Sequence, residues 1–167
     1  LQETEPETLL VQGDTNSVLA GSIAASKLAV DLGHVEAGLR SFDRNMPEET
    51  NRVLTDHAAD YLFAPTEQSA DYLRKEGIGS ERITVTGNTV VDAVHEHRGL
   101  AAEKSDILDE LGVLPGEFAL LTAHRAENVD DPDRFTDILA GAGRVGSQFE
   151  LEIIYPIHPR AREQLSN

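Results

Sequence analysis

The chain has 167 residues, no cysteine, and 30 acidic against 14 basic side chains, a formal charge of −16 with a pI near 4.6. That composition excludes a disulfide framework and a thiolate zinc site, and it argues against a broad basic face for nucleic acid or anionic membrane. No apolar run approaches the ~18 residues of a membrane-spanning helix, and no basic segment followed by an apolar one opens the chain. The length suits one good core or two half-domains. Because the chain opens on Leu1 rather than Met, it is expected to be a fragment of a longer protein. A cytoplasmic location is expected. Lysine occurs only at 27, 75 and 104, and the acids are spread over many surfaces rather than gathered in a tail. Such an acidic shell suits a salt-rich cytoplasm, where screening relieves self-repulsion.

Thr8 to Gln12 reads as a short strand, broken by Gly13-Asp14-Thr15-Asn16. Ser17 to Val30, rich in Ala and Leu, reads as a helix with Asp14, Thr15 or Asn16 as its N-cap. A second strand runs through Gly33-His34-Val35-Glu36-Ala37. A loop then leads to a helix from Pro47 to about Ala58, proline being favoured at the first helical position. Tyr61 to Ala64 is the third strand, and Pro65 and Thr66 begin a helix that Gly77 ends. Arg82 to Thr86 is the fourth, followed by Gly87-Asn88-Thr89 and a helix from Val90 to about His97. Residues 98–116 are charged and mostly helical, and a domain boundary is placed there. Phe118 to Ala123 is the fifth strand, Asp133 to Val145 a helix, Leu151 to Tyr155 the sixth strand, and Pro159 to Leu165 a last helix. Strands alternating with helices predict parallel sheets in an α/β architecture.

In such sheets ligands sit beyond the carboxyl ends of the strands. Every polar break falls at that edge: Gly13-Asp14, Glu36, Gly87-Asn88, His124-Arg125, and Tyr155 to His158. Gly13-Asp14-Thr15-Asn16 is either an anion cradle of backbone N–H groups at a helix start or simply a cap, and Gly87-Asn88-Thr89 carries the same two readings. Glu36 stands in an apolar strand-like run, where an ionised carboxylate needs a partner or a task. Glu48 and Glu49 complement a helix dipole or take part in chemistry. With Arg40 and Arg52 nearby, these carboxylates suit proton transfer beside an anionic ligand. His124 and Arg125 follow a strand and either bind a diphosphate or serve structure; His158 has the same ambiguity. His57, His95 and His97 read as solvated, and His34 as packing or a backbone contact. Neither a Walker loop nor a dinucleotide fingerprint is present, and no histidine set has zinc spacing.

The blocks Val11-Gln-Gly-Asp-Thr-Asn-Ser, His34-Val-Glu-Ala-Gly-Leu-Arg-Ser, Pro47-Glu-Glu-Thr-Asn-Arg, Pro65-Thr-Glu, Thr86-Gly-Asn-Thr-Val-Val-Asp-Ala, His124-Arg-Ala-Glu-Asn and Tyr155-Pro-Ile-His-Pro stand in this order along the chain. Together they resemble the non-hydrolysing UDP-N-acetylglucosamine 2-epimerase family. The resemblance implies two Rossmann-like parallel-sheet domains of the GT-B type, each incomplete in this chain. Residues 1–97 would form the later part of the N-terminal domain, 98–116 the interdomain connection, and 117–167 the early part of the C-terminal domain. The family's N-terminal Gly-Thr-Arg-Pro-Glu-like block and its C-terminal Ser-Gly-Gly…Glu-Glu block are absent.

The resemblance also implies reversible conversion of UDP-N-acetylglucosamine to UDP-N-acetylmannosamine, by anti elimination of UDP to a 2-acetamidoglucal and re-addition. Asp14, Glu36 and Glu48 match the family's acid/base positions, and His124 the position on the diphosphate side. Arg40, Arg125, Asn88 and His158 are expected to bind substrate or effector, with Glu48, Arg125 and His158 matching part of the family's effector site. UDP-N-acetylglucosamine and UDP are the expected ligands, a homodimer the expected assembly, and no metal or cofactor is implied. The alternatives are the hydrolysing relative, which releases the free sugar, a GT-B glycosyltransferase, and a catalytically incomplete nucleotide-sugar-binding fragment. The charge yields a first prediction. The denaturation midpoint should rise from low to molar potassium chloride, and a flat or falling curve would remove the salt-rich cytoplasm.

Overall fold

The computed structural model describes residues 3–28 and 30–165, which form two compact units, one up to Gly99 and one from Leu100. The first begins with β1 (Thr8–Gln12), α1 (Asn16–Ala25), β2 (Asp31–Val35) and α2 (Pro47–Ala58). It continues with β3 (Tyr61–Ala64), α3 (Glu67–Lys75), a 3₁₀ turn at Ser80–Arg82, and β4 (Ile83–Val85). Among the described residues its sheet has the order β1-β2-β3-β4, every neighbouring pair parallel. Strands laid down in spatial order, with right-handed crossovers, put all the connecting helices on one face. Burial agrees. Leu9 and Val11 of β1, Leu32 of β2, Leu62 and Ala64 of β3 and Ile83 of β4 pack with Ala25, Ala59, Ala70 and Leu73 into one core. The alternate residues form an open face, where Leu10 and Tyr61 stay 62% and 46% exposed.

α4 (Thr89–Lys104) passes through the boundary between units, and α5 (Ile107–Leu111) follows it. The second unit then holds β5 (Phe118–Leu120), α6 (Ala126–Val129), α7 (Pro132–Phe149), β6 (Glu152–Ile154) and α8 (Pro159–Leu165). β5 and β6 pair in parallel, with Phe118 opposite Glu152. Val129, Phe135 and Ala161 are its buried apolar centre. Asp131 caps α7 by accepting from the amides of Asp133 and Arg134, ahead of Pro132 in the first turn.

Several boundaries differ from the sequence reading. α1 stops at Ala25 rather than Val30, because the amides of Lys27 and Leu28 bond back three residues, to Ala24 and Ala25, and so tighten out of the α-helical ladder. Of the three candidate caps, Thr15 is the one used, accepting from the Val18 amide at 3.4 Å. α4 runs on to Lys104, where the sequence reading ended it near His97. β2 ends at Val35, so Glu36 lies beyond the strand, with φ at +72°. Its neighbour Ala37 still donates to the Phe63 carbonyl at 3.1 Å, so the chain bends at Glu36 without leaving the sheet edge.

Gly38 shows how tightly that bend is packed. Its φ is +78°, and an added Cβ would press into the Ser69 backbone and lie 2.9 Å from Leu73 Cγ. Gly77, with φ at +89°, has open space around the same position. Gly38→Ala should therefore cost about 3 kcal/mol or more through strain and overpacking, and Gly77→Ala only about 1 kcal/mol. Chemical denaturation of the two variants checks this, and equal losses would mean that α3 moves aside.

Candidate active site

The carboxyl edge of the first sheet gathers the polar side chains. Asp14 follows β1, Glu36 follows β2, and the first two turns of α2 bring Asn51 and Arg52 against Asp14, with Glu49 beside Arg52. Gln12, the last residue of β1, donates from Nε2 to Glu36 Oε1 at 2.8 Å and to Thr89 Oγ1 at 3.2 Å. The Gly13 amide donates to the Val35 carbonyl at 3.1 Å, closing the two strand ends together. Asp14 is gripped from α2: Arg52 Nη2 lies 2.6 Å from its Oδ2, and Asn51 donates to its carbonyl at 2.8 Å. Each of the two carboxylates is thus held through one oxygen, and among the described residues the other oxygen has no protein partner. Both side chains are half-buried, which leaves that oxygen room to face a ligand.

The inner face of α2 is polar. Glu49, Asn51, Thr55 and Asp56 are its buried residues, whereas Leu54 is 50% exposed. Glu49 folds the preceding loop. Its carboxylate accepts from the amides of Ser41 and Phe42 and from the Ser41 hydroxyl, each at 2.9 Å, with Arg52 3.4 Å away. Burial by itself would raise the Glu49 pKa, but those three donors and the arginine outweigh it and hold the carboxyl below its ordinary value. Arg52 therefore spans Asp14 and Glu49, and its Nε is buried with no partner among the described residues.

Arg40, expected to bind substrate or effector, is turned inward. Its Nε and Nη2 meet both oxygens of Glu76 at 2.7 and 2.6 Å, and Nη1 reaches Asp56 at 2.7 Å, leaving the side chain 1% exposed. Burial favours its neutral form, but the pairing with Glu76 and Asp56 prevails and raises its pKa. Such a fork is already filled by protein carboxylates. Glu48 is exposed in the first turn of α2. Asn88 accepts from the Val90 amide at 2.9 Å, capping α4. His34, read as packing or a backbone contact, makes the contact to Gly13 and is also paired with Asp56.

His124, Arg125 and His158 belong to the second unit. The His124 and His158 rings lie 5.9 Å apart, tilted by 36°. Both histidines are exposed, as is Arg125, whose ion-pair partner among the described residues, Glu127, is 3.8 Å away at the surface. The His158 Nδ1 accepts from the Arg160 amide at 3.3 Å, and among the described residues Nε2 has no hydrogen-bond partner. Tyr155 donates its hydroxyl to the Ala123 carbonyl at 2.5 Å and so fixes the backbone next to His124. The sequence-predicted residues thus form two groups, one in each unit.

Gln12, Asn51 and Asp56 were not anticipated. Gln12 carried a signal, being the polar end of an apolar strand just before glycine. Asn51 and Asp56 carried another, since Asn51, Arg52, Thr55 and Asp56 make a continuous polar stripe at helical spacing.

Parallel strands with polar groups beyond their carboxyl ends define the class: an α/β, Rossmann-like architecture of the GT-B type, shared by the structural neighbours. The family model described as UDP-N-acetylglucosamine 2-epimerase matches residues 1–167, and the chain belongs to that family. It is 46% identical over 168 residues to the UDP-N-acetylglucosamine 2-epimerase of Methanococcus maripaludis, covering 99% of this chain and 46% of the relative. It is 44% identical over 158 residues to the UDP-2,3-diacetamido-2,3-dideoxy-D-glucuronate 2-epimerase of Pseudomonas aeruginosa, covering 95% of this chain and 44% of that protein. The crystal structure of the Methanocaldococcus jannaschii UDP-GlcNAc 2-epimerase in complex with UDP-GlcNAc and UDP superposes with a TM-score of 0.89 at 49% identity. That match covers 99% of this chain and 46% of the other. The chain spans about half the length of the curated relatives it matches.

The Glu49 clamp yields a prediction with a sign. A carboxyl held below its ordinary value stabilises the fold fully above that value, about 4.3, and loses the effect as pH falls through the lowered folded value. Glu49→Gln should cost about 1–3 kcal/mol at pH 7, the scale of a buried donor set left short of its acceptor. The gap from wild type should close below about pH 4. Denaturation at pH 7 and pH 3 checks it, and a gap that persists in acid would assign the loss to packing instead.

Proposed function

We propose that this chain carries the acid/base centre of a reversible 2-epimerisation of UDP-N-acetylglucosamine to UDP-N-acetylmannosamine. The observation that carries the reading is the pair Asp14 and Glu36 at adjacent strand ends, each anchored through a single oxygen. In this reading a carboxylate removes the C2 proton from the sugar. The C1–O bond breaks, its electron pair leaves with UDP, and a C1–C2 double bond remains. A proton is then delivered to the opposite face of C2 and UDP adds back at C1. Two faces need two proton-transfer groups, which is the reason for more than one carboxylate. Asp14, Glu36 and Glu48 are assigned to these transfers. His124 stabilises the charge that develops on departing UDP, and Arg125, Asn88 and His158 bind substrate or effector.

The reading extends to a cytoplasmic homodimer; exposed Val90, Val91 and Val94 along α4 support an assembly that covers them. Among the described residues, no helix is long and apolar enough to cross a membrane. A second substrate is favoured by one observation. The Pseudomonas relative is named for a diacetamido uronate, so the same proton chemistry would act on a more anionic sugar.

Turnover by the full-length protein in heavy water should place deuterium at C2 of the product. Glu36→Gln keeps the shape without the acid/base group, so exchange and epimerisation should fall together by about 10²–10⁴-fold. His124→Asn should slow release of UDP with binding less affected. Product with only protium at C2 would rule out the mechanism, and activity on the diacetamido uronate alone would transfer it to the second substrate.

A further inference from the structure

We propose that His34 and Asp56 are positioning residues whose pairing holds the Asp14 turn and the Glu36 bend in fixed register. This rests on the function proposed above for its catalytic consequence, and on geometry alone for its structural one. His34 is completely buried in β2, on the face covered by helices, and both ring nitrogens are used. Nε2 lies 2.9 Å from the Gly13 carbonyl, which can only accept, so Nε2 carries a hydrogen. Nδ1 lies 2.6 Å from Asp56 Oδ1, a second acceptor position, and that short contact fixes the plane of the ring. The ring is therefore a strut from α2 to the residue just before Asp14.

The second oxygen of Asp56 works on the other side. Oδ2 accepts from the Gly38 amide at 3.2 Å and from Arg40 Nη1 at 2.7 Å. Gly38 is two residues beyond Glu36, whose left-handed backbone needs support from its surroundings. One buried carboxylate thus reaches the Asp14 turn through His34 and the Glu36 bend through Gly38. Arg40 extends the chain of contacts to Glu76, just past the end of α3. Burying this polar set is costly, and apolar residues of similar size would pack the same space with less desolvation. What apolar residues cannot supply is direction. Neither His34 nor Asp56 reaches the surface, each being fully buried, so they act through Asp14 and Glu36 rather than on a ligand.

The test uses the full-length protein with His34→Gln and Asp56→Asn. The glutamine amide can still donate to Gly13 but turns its carbonyl toward Asp56. The asparagine still accepts from His34 but brings an NH₂ group against the Gly38 amide and Arg40. Both variants should lower kcat for UDP-N-acetylglucosamine by about 10–100-fold, the scale of a misplaced reacting group, with KM changed by less than about three-fold. Hydrogen–deuterium exchange should quicken in peptides spanning 12–16 and 36–41 and stay unchanged in α3 and α7. Unaltered kcat beside an active wild type overturns the proposal while leaving the epimerase reading intact. Exchange that rises uniformly also overturns it, since it marks lost stability only. An inactive wild type removes the epimerase reading, and the exchange pattern alone then decides whether the pair holds the two turns. Should Asp56→Asn not fold, His34→Gln carries both readouts.

Discussion

The first unit depends on a helix that buries its polar side. Ordinarily a crossover helix turns an apolar stripe to the sheet and leaves its charges in water. α2 does the reverse over much of its length, with Glu49, Asn51, Thr55 and Asp56 inside. Every buried polar group there must find a partner or lose about 1–3 kcal/mol, so the loops around the helix have little freedom. Ser41 and Phe42 are fixed by Glu49, Asp14 by Asn51 and Arg52, and Gly38 by Asp56. The apolar core beneath, built from small residues such as Ala25, Ala37, Ala59 and Ala64, lets backbones approach closely enough for these short side chains to span.

The alternation of strands and helices was legible because each apolar run is bounded by glycine, proline or a capping residue. Thr8–Gln12, Pro47–Ala58, Tyr61–Ala64 and Pro159–Leu165 have the bounds that periodicity and breakers predict. The family, too, was legible, since its long middle blocks hold unusual residues in order, and the whole chain matches it. Helix ends were less so. The sequence from Ser26 to Leu28 carries no breaker, and only the back-bonded amides show why α1 stops. The helix expected to end near His97 continues through Gly99 to Lys104, glycine being tolerated in a helix at a cost of about 1 kcal/mol.

Side-chain assignments depended on contacts that linear sequence does not print. Arg40 stands four residues from Glu36 and looked like a ligand for an anion, but Glu76, far along the chain, fills its fork. His34 was expected to serve packing or a backbone contact; the contact to Gly13 is there, but its second partner, Asp56, lies on a helix 22 residues away. The place of Asp14 was legible because a polar residue just after an apolar strand has nowhere to point but the sheet edge, whereas Glu36, expected within the second strand, lies just beyond it. The two units also treat their polar groups differently. In the first, short contacts hold the carboxylates, whereas in the second His124, Arg125 and His158 are exposed and lightly restrained.

The backbone at Glu36 has a consequence for anyone who alters this protein by selection. At φ +72° the site suits glycine or asparagine, and a glutamate there sits at a conformational disadvantage of about 1–2 kcal/mol. A library screened only for heat tolerance would favour the small or amide residue, because it relaxes the bend while leaving the strand pairing of β2 in place. On the role proposed for Glu36, the survivors would be sturdier and chemically mute. Position 36 would then be a stability–activity trade-off confined to one residue. Selection for thermostability and selection for turnover would pull its identity in opposite directions.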